Sequence, residues 1–317
     1  MPILVAPLPT PEPPEQPTPA PEVPRPPAHE TPQVSFTDAS GTVTLLTDWE
    51  NGWVLQPGAK GLDMPGYAVA QDESPGIDGY AVRQVRAQGK DISLPIAFFS
   101  DDSREAYLAR RRGFIRSLNP KRGLGTLTVT QINGEARTIG VLYASGMEGD
   151  ESLDATGRRW CINSITFNAP SPYWLGAEVE ETWKTGSTGT FLPLLPLTVG
   201  DSQVLGAVEV DNDGDDDAFP VWTIEGPATS VTLTNNTTGQ TLILTRTITS
   251  SDTIVIDTRQ RQQTALLNGT TNLWPNLSDA SELWALETGI NDLNLSVAGS
   301  TTATRVRMSY QLRYLAA

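Results

Sequence analysis

The sequence predicts a mainly β protein in two folded parts behind a proline-rich arm. Three observations predict it: short runs of alternating apolar residues throughout, a single stretch with helical periodicity, and 13 of the 25 prolines gathered in residues 1–32. The first folded part, residues 33–176, combines strands with the one helix and reads as α+β; the second, residues 177–317, has strand signals alone and reads as an antiparallel β-sandwich. A chain of 317 residues is long enough for two sizeable cores.

Residues 1–32 hold little apolar content after Val5. Such a segment cannot offset its ordering entropy and is expected to be a disordered or polyproline arm, with a PxxP-type ligand for a partner as the sharper alternative. From Val34 the pattern turns strand-like, with Val43, Leu45 and Thr47 alternating and Trp49, Trp53 and Val54 around Gly52. Glycines and prolines then punctuate a long loop stretch from which Tyr80–Val85 and Ile92–Phe99 emerge as strands. In the second of these, Ile92, Leu94, Ile96 and Phe98 keep the period of two of a half-buried strand.

The helix is predicted from about Asp102 to Leu118, capped by Asp101 or Asp102, with Leu108, Phe114, Ile115 and Leu118 as its apolar stripe and Asn119-Pro120 as its stop. Its other face carries Arg104, Arg110, Arg111, Arg112 and Arg116, followed by Lys121 and Arg122: a solvated face, or a basic surface that meets the acidic surface of a neighbouring subunit. Asn133-Gly134 between two alternating runs predicts a hairpin with a type I′ turn.

Residues 146–157 read as a polar loop, and Arg158–Phe167 as a strand ending at Phe167-Asn-Ala-Pro-Ser-Pro-Tyr-Trp-Leu-Gly176. Pro170 and Pro172 there forbid a strand or helix through both, and Tyr173 and Trp174 are expected to pack between the two halves. The second half shows plausible strands at 204–210, 220–224, 231–234, 241–248, 253–256, 293–297 and 306–314, and a connector with Leu194, Leu195 and Leu197 expected to lie against one sheet.

Composition closes several doors. No run of about 18 apolar residues exists to span a membrane, and no secretory signal is recognisable, so a soluble protein made in a cytoplasm is expected. Cys161 is the only cysteine and His29, in the arm, the only histidine. An intramolecular disulfide, a cysteine zinc site and histidine-based nucleophile or base catalysis are thereby unavailable to the folded part. The arm is net −3; residues 33–176 have 16 acids against 14 bases, net −2; residues 177–317 have 17 against 7, net −10. An acidic second half suits a wall that nucleic acid slides past, not one that grips phosphate.

Asp211-Asn-Asp-Gly-Asp-Asp-Asp217 invites a calcium reading but has Asp216 and Trp222 where an EF-hand loop needs glycine and glutamate, leaving an irregular site or a solvated turn. Carboxylate pairs are placed by no motif. Trp183, Trp222, Trp274 and Trp284 are candidates for a sugar platform, with core packing as the plainer reading. No catalytic, cofactor-binding or metal-ligating residue is assigned.

Taken together, Arg104–Leu118 with Asn119-Pro120, the runs 127–129 and 137–143, and the Phe167–Trp174 stretch resemble the first domain of the distal tail proteins (Dit) of siphophages. Asn212 with Gly214–Asp217, Ala218-Phe-Pro220, Ile224-Glu-Gly226, Ile254-Val-Ile-Asp257, Leu267-Asn-Gly269, Leu286 with Gly289-Ile-Asn291, and Tyr310 resemble the second. The proline-rich arm departs from the family's usual pattern. The resemblance implies a tail-tube-like first domain that builds a homohexameric ring and its DNA channel, and a galectin-like β-sandwich that projects outward. It further implies a non-enzymatic virion component without cofactor, assembled in the bacterial cytoplasm. Its partners would be the tail tube protein, the tail-tip hub and, beyond these, receptor-binding proteins. A carbohydrate-binding module at the tail tip is the alternative.

Overall fold

The computed structural model describes residues 32–76, 78–148, 159–184, 203–204 and 206–317. The arm, most of the 146–157 loop and the leucine connector at 194–197 lie outside the described residues. The first half contains β1 (Gln33–Thr37), β2 (Val43–Leu45), β3 (Trp53–Leu55), β4 (Tyr67–Asp72), β5 (Ala81–Ala87), β6 (Lys90–Phe99), the helix α1 (Arg104–Ser117), β7 (Gly125–Thr130), β8 (Ala136–Ser145) and β9 (Trp160–Ala169). Then come β10 (Trp174–Lys184), β11 (Gln203–Val204), β12 (Ala207–Asn212), β13 (Val221–Glu225), β14 (Ala228–Asn235), β15 (Gln240–Ile248), β16 (Thr253–Asp257), β17 (Thr264–Leu267), β18 (Thr271–Asn272), β19 (Gly289–Ala298) and β20 (Arg305–Tyr314). The mainly β class with a single α-helix is as the sequence predicts, and the named pairings are antiparallel except β10 with β11.

In the first half the strand order is β2-β1-β7-β8-β9-β6-β3. β8 turns the sheet: its residues up to Val141 pair with β7, and those from Leu142 pair with β9. The two arms face one core, so Phe36 on β1 stacks on Phe167 on β9 at 5.3 Å between ring centroids. On β6 the predicted alternation holds, with Ile92, Leu94, Ile96 and Phe98 all fully buried. β2 departs from expectation: it ends at Leu45, and Val43 is exposed because no further strand covers that edge.

The helix starts one residue later than its acidic cap candidates allow. Ser103 is the cap, its Oγ accepting from the Ala106 N–H at 3.1 Å, while Asp101 and Asp102 stay exposed. Tyr107, Phe114 and Leu118 form the buried stripe against Phe98, Phe36 and Trp53. Leu108, also expected in that stripe, is partly buried against the same core, whereas Ile115 is exposed, about 100° round the helix from Phe114 on the side away from the core. The hairpin at Asn133-Gly134 forms, but with three loop residues and not two. Gly134 N–H donates to the Gln131 carbonyl at 2.9 Å, and Gln131 N–H to Glu135 at 2.8 Å. Only Gly134 has positive φ, at 87°, which makes a type I turn followed by a bulge in place of type I′.

No strand crosses Pro170 or Pro172: β9 ends at Ala169 and β10 begins at Trp174. β10 and β20 then form the ladder that joins the halves, from Trp174 opposite Tyr314 to Lys184 opposite Arg305, with a bulge between Leu175 and Glu178. Trp174 and Tyr314 belong to the first core, while Trp183, Val306, Met308 and Tyr310 belong to the second, and Leu312 packs on both. Trp174 is thus a first-core residue, its Nε1–H donating to the Leu62 carbonyl at 3.0 Å. Beyond Tyr314 the chain is fixed to the first half. Arg137 stacks on the Tyr314 ring at 3.7 Å and donates to the Ala316 carbonyl at 3.0 Å, and Ala317 N–H donates to Leu62 at 3.0 Å. Buried Lys90 donates to Asp63 and Leu315 carbonyls at 2.7 and 3.3 Å.

The second half is a sandwich of β10-β20-β13-β16-β17-β18 against β12-β19-β14-β15. The runs predicted there form strands, but 204–210 is divided between β11 and β12, which lie in different sheets; β10 beyond residue 176 and the short β17 and β18 are strands the sequence reading did not predict.

Replacing Ser103 by Ala is expected to cost about 1 kcal/mol through the lost cap. Phe114→Ala should cost about 3–5 kcal/mol and Ile115→Ala less than about 0.5, read as denaturation midpoints at constant slope.

Candidate assembly surfaces

The acidic run at 211–217 is a clasp between the halves. Asn212, fully buried, donates from Nδ2 to the Asp216 and Leu286 carbonyls, both at 3.1 Å, and accepts from the Gly214 N–H at 3.2 Å. Asp215 N–H donates to the Arg313 carbonyl at 2.8 Å, and its carboxylate accepts from Leu315 N–H at 2.9 Å. The Arg313 guanidinium lies over the Tyr173 ring at 3.7 Å and donates to the Asp217 carbonyl at 2.7 Å. Tyr173 therefore does bridge the halves, as expected of it. Burial, with the Asp216 carboxylate it donates to, pushes its hydroxyl up to about 12. Burial also raises the Asp217 carboxyl, reinforced by the charges of Asp216 and Glu287. Asp215 is engaged by the Leu315 N–H and Asp216 by the Asp217 N–H, Tyr173 and Arg313, and among the described residues no three metal-ligating side chains gather. Asn291 and Asn235, buried as fully as Asn212, bond to each other at 3.3 Å and to loop backbone, so Asn212 and Asn291, two of the residues behind the resemblance, are structural joints.

The tryptophan platform does not exist as a surface. Trp183, Trp222 and Trp284 are buried in the second core, with Trp222 5.5 Å from Trp284 and 6.2 Å from Trp183. Trp284 donates from Nε1 to the Leu233 carbonyl at 3.2 Å; only Trp274 of the four is exposed. On the same inward side of β10, burial raises the carboxyl of Glu181, and its Oε2 is buried without a hydrogen-bond partner.

The basic helix face is partly folded back. Arg110 donates to the Phe99 carbonyl, and Arg110, Arg116 and Arg122 line an open groove of about 630 Å³ whose far wall carries Asp38 and Asp48. Two apolar surfaces stand out in the first half. Among the described residues β4 and β5 pair only with one another, through Tyr67↔Ala87 and Val69↔Val85. Tyr67, Val69 and Val85 share one exposed face of this ribbon, and Tyr80 and Val82 are exposed near its tip. Elsewhere Trp49 (69% exposed), Trp160 (52%) and Ile162 (56%) border a cleft of about 490 Å³ beside edge strand β3. Gly52, at φ 76°, lets the Trp49–Trp53 turn approach β6: a Cβ there would collide with the Phe99 carbonyl. Composition gave Trp49 and Trp160 no distinguishing mark, since exposure depends on which sheet ends there.

Residues 213–314 match the family model of a siphovirus-type tail component, C-terminal domain. No curated protein matches the chain. The crystal structure of the Dit protein of phage SPP1, described as a paradigm of the hub adsorption apparatus in phages infecting Gram-positive bacteria, aligns with a TM-score of 0.63. The identity is 13%, over 88% of this chain and 98% of that one. The activated phage P2 baseplate with calcium aligns with a TM-score of 0.49, at 13% identity over 89% of this chain and 98% of that one. The family model and the shared Dit-like fold bear out the resemblance read from the sequence.

Trp222→Ala should cost about 3–5 kcal/mol by opening the second core, and Trp274→Ala less than about 0.5, measured by denaturation. Glu181 has a folded-state pKa above its unfolded one, so the folded chain holds the extra proton in that window and stability falls as pH rises through it. Glu181→Gln is expected to melt above wild type at pH 7, with the gap shrinking towards pH 4 in paired thermal scans.

Proposed function

We propose that this chain, whose residues 213–314 carry a siphovirus-type tail component domain, is a distal tail protein, a structural hub of the phage tail tip. The carrying observation is the pairing of that domain match with a Dit-like fold across 88% of the chain. In this reading residues 33–176 build a homohexameric ring that joins the tail tube to the tip and leaves a channel for DNA, and residues 177–317 project from it. The ring meets the tail tube protein on one side and the hub, with any receptor-binding proteins, on the other. The protein does no chemistry; it is made in the host cytoplasm and ends in the virion.

The charge distribution supports this reading. A net −10 on the second half and −2 on the first give passing phosphates little to bind, as a conduit needs. Ring closure needs two different patches per subunit, and the exposed ribbon and cleft of the first half are two such patches.

The test is native mass by light scattering with negative-stain imaging of the same peak. The expected outcome is a mass of six chains with annular particles; a monomer at high concentration, also in the presence of the tube protein, would sink the ring.

A further inference from the structure

We infer that the Trp49–Trp160 cleft is the seat for the β4–β5 hairpin of a second copy of this chain. The inference rests on the ring reading and names its contact. The cleft exposes two tryptophans and Ile162 around an apolar floor of Val54, Ala97 and Phe99, with Gln56, Asp101 and Arg159 also in its lining, an arrangement in which interfaces concentrate their energy. The hairpin is the matching liability. Among the described residues its two strands pair with no others, so both outer edges present backbone groups without strand partners there, and its exposed face carries Tyr67, Val69 and Val85. A two-stranded ribbon of this kind is marginal in water and gains from a third surface.

Two features favour a second copy over another occupant. First, hairpin and cleft are different surfaces of one chain, so joining them repeats head to tail, whereas either surface pairing with itself would close a two-fold dimer and stop. Second, β3 is, among the described residues, the free sheet edge beside the cleft, which accepts an added strand in the manner of β-augmentation.

The test uses full-length chains with Cys161→Ser, which removes the only cysteine. One carries Val85→Cys and the other Ile162→Cys, both at exposed positions that leave the cores untouched. After mild oxidation the mixture is expected to give a disulfide-linked pair, and neither variant alone a linked dimer. The same pattern is expected with Val69→Cys, on the same face of the ribbon, in place of Val85→Cys. Self-linking by single variants, or no mixed bond with either ribbon position, overturns the seat. Light scattering on the wild-type chain runs in parallel. A six-chain ring without the mixed bond removes the seat and leaves the ring; a mixed bond in a chain that forms no ring leaves the seat and removes the ring; absence of both removes both.

Discussion

The antiparallel ladder between β10 and β20 is the constraint on which the rest depends. Each strand places aromatic anchors in both cores, Trp174 and Trp183 on one, Tyr314 and Tyr310 on the other. The halves therefore share continuous backbone hydrogen bonding, where two domains on a linker would meet only through side chains. The acidic clasp on Arg313 and the stacking of Tyr173 lie at the same junction and brace it. Polar groups there are spent on geometry: buried Asn212 holds the Asp216 and Leu286 carbonyls, and Asp215 holds the Leu315 N–H.

With the inside of the molecule devoted to bracing, its capacity to interact lies outside. The exposed apolar groups of the first half sit on a ribbon and on a sheet end, the two kinds of surface that seek another chain's backbone. The second half is acidic by contrast, with Trp183, Trp222 and Trp284 withdrawn into the core and only Trp274 of its tryptophans exposed. That division fits a protein whose first half assembles and whose second half presents.

The fold was legible where periodicity and packing agree. Ile92 to Phe98 alternate and are buried, and the threonine-rich runs after residue 203 became strands nearly residue for residue. Legibility failed where one residue type serves two physical roles. Ser103 and Asp102 can both cap a helix, and spacing to the Ala106 N–H decided between them. Asn133-Gly134 fits two turns, and the register of Gln131 and Glu135, a longer-range fact, chose the three-residue loop. Tyr107 was passed over for Ile115 because its hydroxyl hides how much ring it buries. The surfaces were the least legible of all: Trp49 and Trp222 look alike in a string of letters, and only the sheet order makes one an edge and the other a core.

The threading of β20 has a consequence for synthesis. Tyr314 completes the first core, and Leu315 to Ala317 are held by Lys90, Arg137 and Leu62, residues made some two hundred positions earlier. A nascent chain emerges from its amino-terminal side and usually folds domain by domain in that order. Here the first half must wait, with Trp174 and its surroundings partly uncovered, until almost all of the second has left the ribosome. A prematurely terminated copy would thus lack not only its outer half but also the final piece of the inner one. Proofreading for length is built into the fold, so that incomplete chains are poor entrants to any symmetric assembly.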